Sequence, residues 1–364
     1  MNSSLYVNSV NGSEVYRTAI DLDETKTGLN IQLQQHIKHW NSQWALTVGR
    51  SEHKVNRFDQ ATYNAISGQI VSPKIDARHA DYSEQNINHL AFEAKSHLFD
   101  EALTLTYGVR IDDYPDFGRQ LSPRFSAVYE LDHHNALKLI YGNAFRAPIV
   151  GEKVGFRHVS GNPSIDPEEI DSYELVYAHK NNRWSQEWLV YQSYLKKGIS
   201  IVPDASQILP KTHIYENSSE QEARGIEARF NYINRQWSLK ANFAYIESYN
   251  NTLDIAHTSY PKWISNIDMA YQLAELTTIA LSNQLFGGHY LGDETTANGQ
   301  KLEKGNTYIR SDVRISHDFN KQLQAWCGIK NIFDKNNRLP SVINIEGGVE
   351  DINRTLIVGA SYRF

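Results

Sequence analysis

Polar and apolar residues alternate with a period of two through most of this chain, and the alternation is cleanest at its end. In Arg354 to Phe364, the residues Leu356, Val358, Ala360, Tyr362 and Phe364 share one face of an extended strand. Thr355, Gly359, Ser361 and Arg363 share the other, with Ile357 the exception. The pattern runs to the terminal carboxylate, where a soluble sandwich would normally trail off in polar residues. Upstream, the same rhythm predicts a strand within Val15 to Ile37 and a second around Trp44 to Val48, joined as a hairpin through His36 to Gln43. Asn56 to about Gln85 reads as a long polar irregular segment. Strands are then expected near Asn88 to Leu98, Ala102 to Ile111, Leu121 to Leu131, Ala136 to Phe145, Ser172 to Ala178 and Trp184 to Tyr194. More follow near Arg224 to Tyr232, Trp237 to Glu247, Trp263 to Leu273, Leu276 to Leu285, Tyr308 to Phe319 and Leu323 to Phe333. With the closing strand these are fifteen, and the N-terminal end, where strand boundaries are least sharply marked, brings the expected total to about 16 or 17.

Two features of this pattern decide the fold class. First, the less apolar face carries charge: Arg110 beside Thr104, Thr106 and Gly108, and Tyr308, Arg310, Asp312, Arg314, Ser316 and Asp318 along one strand. Charges on a buried face need partners and water, so that face lines a wet interior. Second, the connections alternate. Phe99 to Glu101, Asp132 to His134, Lys180 to Arg183, Asn234-Arg235, Ala274-Glu275 and Asn320-Lys321 are short. Arg146 to Asp171, Lys196 to Glu222, Ser248 to Lys262, Phe286 to Thr307 and Asp334 to Asn353 are long and polar. Short turns on one rim and long loops on the other are the asymmetry of a transmembrane antiparallel β-barrel, with periplasmic turns and extracellular loops.

Composition agrees once that geometry is allowed for. Hydrophobic residues are 40% of the 364, a value that would suit a soluble protein, but a barrel whose strands are half lumenal scores in the same range. No stretch approaches the ~18 consecutive apolar residues of a membrane helix. The 21 Tyr and 7 Trp suit interfacial girdles. A net charge of −6 gives no support for nucleic-acid binding. The single cysteine, Cys327, excludes an intramolecular disulfide and sits in an alternating strand as a small apolar residue.

Four stretches resemble the TonB-dependent outer-membrane receptors. Asn143 to Pro148 (NAFRAP) is similar to the family's FRAP box, and Asn162 to Glu169 (NPSIDPEE) to its NPxL-x-PE box. Lys330 to Lys335 (KNIFDK) is similar to its NLFDK box, and Tyr362-Arg363-Phe364 to the terminal aromatic signature. The resemblance covers roughly Gly28 to Phe364. It implies the C-terminal part of a 22-stranded barrel in the bacterial outer membrane, in contact with lipid and lipopolysaccharide. It further implies Tyr362 and Phe364 as the signal read by the barrel-assembly machinery. The activity implied is TonB-dependent uptake of a scarce extracellular small molecule, an iron chelate such as a siderophore or haem being the leading candidate. The family's plug domain and TonB box have no counterpart in these residues, nor does a signal peptide, so 1–364 is expected to be an N-terminally truncated barrel. TonB would be reached only through the missing plug. A passive porin-like channel and a soluble β-rich binding domain are the alternatives.

Candidate ligand contacts lie in the expected loops. His158 falls between the FRAP-like and NPxL-like boxes, where the resemblance implies an axial ligand in haem receptors, and imidazole is a competent haem ligand. Arg146 carries a fixed charge to the mouth. Phe156, Tyr215, Tyr249, Tyr260 and Tyr290 could stack on a flat ligand. Asp112, Asp113 and Asp116 form an acidic cluster without EF-hand spacing, better read as a solvated face than as a calcium site. No resident cofactor and no catalytic motif is recognisable.

Overall fold

The computed structural model describes residues 2–11, 14–64, 66–76, 84–156, 159–204, 213–257, 260–291, 303–340 and 348–363. Nearly all of them are in strands. In chain order these are β1 (Asn2–Asn11), β2 (Glu14–Ile37), β3 (Ser42–Asn64), β4 (Ile70–Asp76), β5 (Glu84–Leu98), β6 (Leu103–Tyr114), β7 (Gly118–Glu130) and β8 (Asn135–Arg146). A five-residue helix α1 (Val150–Val154) and the two-residue strands β9 (Gly155–Phe156) and β10 (Val159–Ser160) follow. Then come β11 (Glu168–Lys180), β12 (Trp184–Pro203), β13 (His213–Ile233), β14 (Trp237–Asn250), β15 (Ile255–Ala256), β16 (Trp263–Ala274) and β17 (Thr277–Gly287). The last are β18 (Tyr308–Asp318), β19 (Leu323–Lys330), β20 (Arg338–Leu339), β21 (Val349–Glu350) and β22 (Thr355–Tyr362). No helix among the described residues is long and apolar enough to cross a membrane.

The chain groups into two compact units, one comprising 1–127, 141–171 and 194–220, the other 128–140, 172–193 and 221–364. In the first, β2, β3, β5 and β6 pair antiparallel in sequence order. Their register places Ile31, Val48, Leu90 and Ile111 in one row, and Gln32, Thr47, Ala91 and Arg110 in the next, on the opposite face. In the second unit an apolar row crosses seven strands, through Tyr232, Leu239, Met269, Leu281, Val313, Ile329 and Leu356. The neighbouring row on the other face is Asn231, Lys240, Asp268, Ser282 and Asp312. The apolar face is open: Leu29, Ile31, Val358 and Leu356 are 68%, 68%, 72% and 68% exposed. A water-soluble protein would bury such rows at about 25 cal/mol per Å² of gain, so they need an apolar surrounding. The polar face is packed with its own partners. Arg310 holds Asp312 through two hydrogen bonds of 3.0 and 3.1 Å, and Arg314 lies 4.4 Å over the Trp326 ring, which itself covers Gly359.

Four of the six short turns share one device. Asp132, Asn181, Asn234 and Asn320 each accept hydrogen bonds through Oδ1 from the backbone N–H groups two and three residues on, at 2.7 to 3.0 Å. An Asx side chain thereby satisfies donors that the tight reversal leaves without a ladder partner. At Asp132 the His134 N–H, and after it the Asn135 side chain, hold the carboxyl below the usual carboxylate range.

Several strands run far past the expected ends. The segment expected to be irregular from Asn56 is strand to Asn64 and again from Ile70 to Asp76. Likewise β12 continues to Pro203 and β13 begins at His213, inside the segment expected to be a long loop. At 24 residues β2 reaches about 80 Å, well beyond the ~10 residues a tilted spanning strand needs. These extensions exceed the length of a spanning strand, and along them the apolar alternation fades while the backbone ladder continues.

Candidate functional site

The FRAP-like and NPxL-like stretches come together in the first unit, at the long-loop end of its strands. Pro148 cannot donate to a ladder, so β8 stops at Arg146 and the chain turns into α1. The side chain of α1's Glu152 caps the helix by accepting from the Ile149 N–H at 2.9 Å, and its carboxylate takes two hydrogen bonds from the Arg146 guanidinium, at 3.0 and 3.1 Å. The Arg146 Nε donates to Glu168, the acid of the NPxL-like box. Arg146 is thus forked between two carboxylates that are 12% and 15% exposed, and it ties the end of β8 to the start of β11 across the intervening loop. Burial alone would raise the Glu168 carboxyl, but hydrogen bonds from Arg146 and from the Ile199 N–H bring it below the ordinary carboxylate range.

A second carboxylate, Asp171, gathers Asn143 at 2.9 Å, Tyr141 at 3.2 Å and Lys196 at 3.0 Å. Asn162 donates to the Tyr215 carbonyl at 3.0 Å, and Asn217 bridges the Asp166 and Lys197 carbonyls at 2.9 and 2.7 Å. The loop is stapled from a third side by Lys153, whose side chain is 1% exposed and pairs with Asp116 of the β6–β7 turn, with the Phe117 ring 5.5 Å away. Beneath α1, Val150 and Val154 pack on Val55 and Leu22 of the extended β2–β3 arms. Six side chains here were not singled out as contacts in the sequence reading: Glu152, Glu168, Asp171, Lys153, Lys196 and Asn217. Glu168 stood inside a recognised box; the others carry no signal without the pairing of distant strands.

The acidic trio does not converge on one point. Asp112, 3% exposed, is held by Arg110 at 2.6 and 2.7 Å; Asp113 faces Arg119 at 3.7 Å; Asp116 holds Lys153. Successive residues of a strand point to opposite faces, which separates the first two.

In the second unit, Tyr249 and Tyr260 line one cavity of about 470 Å³ with Arg224, Lys262 and His257. The Tyr249 hydroxyl donates to Asp254 at 2.5 Å, a bond that raises its pKa. Tyr290 stands apart, bridged through its backbone to Lys304 and 36% exposed. Tyr215 is half-buried in β13, in the other unit. The backbone of Phe156 lies in β9; its side chain, His158 and Phe364 lie outside the described residues. Tyr362 is 53% exposed on the apolar face of β22, its hydroxyl 3.4 Å from Gln322.

A family model described as TonB dependent receptor-like, beta-barrel matches residues 2–332. The chain belongs to this family. Its match begins nearer the N-terminus than the boxes suggested and stops at Ile332, short of the closing strand. The chain is 23% identical over 346 residues to the vitamin B12 transporter BtuB of Photobacterium profundum, covering 94% of this chain and 52% of that protein. Among solved structures, it resembles the siderophore receptor PirA of Pseudomonas aeruginosa, with TM-score 0.64 and 19% identity over 99% of this chain and 63% of that one. It also resembles the copper transporter OprC, with TM-score 0.69 and 13% identity over 96% of this chain and 57% of that one. The chain therefore spans about half to three-fifths of the length of these relatives. As a TonB-dependent receptor barrel it is an all-β, antiparallel protein of the outer membrane. The apolar rows lie on one face of its sheets and the charged rows on the other, and the Arg146 network stands at the long-loop end.

Proposed function

We infer that the protein carrying this chain takes up a scarce nutrient across the outer membrane by a TonB-dependent route, with an iron chelate as cargo. The observation that carries this reading is the family match over residues 2–332, a span that includes both the FRAP-like and the NPxL-like stretches. In this reading the chain supplies barrel wall and loops. TonB is engaged through a plug domain and not through the barrel strands, and assembly uses the aromatic closing strand, Tyr362 and Phe364. Tyr249, Tyr260 and Tyr290, exposed at the loop end, are the first contacts for a flat or aromatic ligand, with Phe156 and His158 as further contacts for haem. Arg146, already held by two carboxylates, orders the loop that presents them. The iron chelate is favoured over cobalamin or a metal ion by the two phenols, Tyr249 and Tyr260, that share one cavity with Lys262 and with Arg224, the latter held by Glu247 at 2.8 Å.

The test is uptake of radiolabelled ferric siderophore, haem and cobalamin by cells expressing the protein, with and without a functional TonB. Iron-chelate uptake that disappears without TonB supports the reading. Flux of small solutes that persists unchanged without TonB would replace it with a passive channel.

A further inference from the structure

Two of the long connections in the second unit are rooted in each other. Leu291, which follows β17, is buried, and a Cβ on Gly348 beside β21 would sit 3.2 Å from its Cδ2. Tyr308, buried at the start of β18, donates its hydroxyl to Asp351 at 2.6 Å. Asn337, buried just ahead of β20, donates to the Ile309 carbonyl at 2.8 Å and accepts from the Ile309 N–H at 3.1 Å. An apolar contact, a hydrogen bond to a carboxylate and a backbone staple therefore join residues 286–291 and 303–310 to residues 334–340 and 348–353. Neither root can leave its place without stripping buried polar groups of the other of their partners.

His289 sits beneath this junction. It is fully buried, its ring 5.3 Å from that of Phe286, which in turn stacks on Tyr308 at 4.3 Å. The return segment closes over it. The Gly305 N–H donates to the His289 carbonyl at 3.0 Å, the Leu291 N–H donates to the Glu303 carbonyl at 2.8 Å, and a Cβ on Gly305 would overlap the imidazole. Neither ring nitrogen has a hydrogen-bond partner among the described residues. The charged groups nearby are turned to other uses. Glu303 and Lys304 of the return segment are exposed, as is Lys262, which lies beside Gly288. Asp351 accepts from Tyr308 and lies 3.8 Å from Arg310, which also holds Asp312. A proton added to the ring would be buried with no carboxylate to meet it, and burial already holds the imidazole pKa below its ordinary value.

We propose that the two roots form one acid-released clasp, closed around an uncharged His289 near neutral pH and opened as a unit when the imidazole takes up a proton. The ring gains a proton readily only where water reaches it, which requires residues 303–305 to lift. That movement draws on Tyr308 and Ile309, and through them on Asp351 and Asn337. The closed state holds the ring neutral, so closure is complete above the open-state pKa of about 6.5 and weakens as pH falls below it. Tyr290, between His289 and Leu291, is carried by the clasp. The device rests on the packing of these roots and not on the cargo, so uptake experiments and exchange experiments fail independently.

The test is hydrogen exchange of the full protein in detergent at pH 7.5 and 5.5, read by mass spectrometry and corrected for the intrinsic pH dependence of amide exchange. With an open-state pKa of about 6.5, the opening constant of residues 286–291 and 303–310 should rise about tenfold between those two values. Residues 334–340 and 348–353 should rise by the same factor. H289F should hold its pH 7.5 protection at both values. Y308F removes the hydroxyl that reaches Asp351 and leaves the ring in its stack, so it should shrink the acid response of 334–353 and leave that of 286–291 in place. The unaltered protein and Y308F decide the matter if H289F assembles poorly. An acid response that is absent, that survives in H289F, or that is confined to one root of the unaltered protein would overturn the proposal.

Discussion

Lys153 offers the sharpest test of how the extracellular loop is held. Its side chain is 1% exposed, that of its partner Asp116 is 13% exposed, and the two lie on elements joined by no backbone ladder, the β6–β7 turn and α1. A buried ion pair adds little beyond a well-packed apolar pair, because desolvation offsets most of the Coulomb gain. Removing one partner is different, since the remaining charge stays buried and uncompensated at about 3–5 kcal/mol. Lys153→Met keeps most of the packed stem and leaves Asp116 without its cation, with the neutral Gln85 amide at 3.2 Å still donating to it, whereas Lys153→Met with Asp116→Asn removes both charges. The single substitution should therefore raise hydrogen exchange of the α1 amides at least about 100-fold, limited by the loop's own opening free energy, and the double should recover most of that protection. Exchange read by mass spectrometry on peptides spanning 147–156 gives the comparison directly. If the single and double variants exchange alike, or the single matches the unaltered protein, the pair is not the staple described above.

Three further outcomes follow from the same geometry. Asn181→Ala and Asn234→Ala, which each remove the side-chain acceptor of two backbone N–H groups in a tight turn, should lower stability in urea by about 1 kcal/mol apiece and add nearly independently. Asp132→Asn keeps its acceptor at all pH values; because the native Asp132 carboxyl sits below its unfolded value, its contribution is complete above that value and is lost as pH falls through the folded one. Stability curves of Asp132→Asn and the unaltered protein should therefore draw apart in the variant's favour on acidification toward pH 3, and parallel curves would refute the turn assignment. His289 is fully buried, and neither ring nitrogen has a hydrogen-bond partner among the described residues. Burial lowers its pKa, so protonation favours the unfolded chain and stability should decline as pH falls below about 6.5. His289→Phe should gain about 1–3 kcal/mol and lose that decline in thermal unfolding measured between pH 5 and 8.

What the sequence made legible was what the membrane imposes. Rows such as Leu239, Met269, Leu281, Val313 and Ile329 are apolar on one face, as a barrel wall in a membrane requires, and that requirement writes a period of two into each strand. The same signal failed where the membrane stops. Along β3 beyond Arg50, β4 and the β12–β13 arms the backbone ladder continues without a periodic apolar face, and a residue such as Val55 is buried against α1 by the fold of a distant loop, so hydrogen bonding fixes the strands where side-chain alternation does not signal them. β1 was missed for a related reason, since its place comes from a ten-residue pairing with β2 and not from a periodic pattern of its own. At the loop end, Arg146 was legible as a charge in a familiar box, but its meaning changed once Glu152 and Glu168 stood beside it. A lone arginine reads as a ligand contact; a forked one reads as a clasp. The aromatic candidates divide similarly: Tyr249 and Tyr260 meet in one cavity through the β14–β16 loop, a convergence set by the fold of that loop and by no spacing in the chain.

Cys327 provides the most direct measurement of the central claim, which is that one face of this sheet is in lipid and the other in water. It is the chain's single cysteine, it is exposed, and its register puts it in an outward row between Ile315 and Val358. In intact outer membranes Cys327 should react with a membrane-soluble maleimide and resist a charged, impermeant one. Trp326→Cys on a Cys327→Ser background, one residue over on the lumenal face, should reverse that preference. Rapid labelling of Cys327 by the charged reagent, with no reversal at residue 326, would contradict the barrel reading.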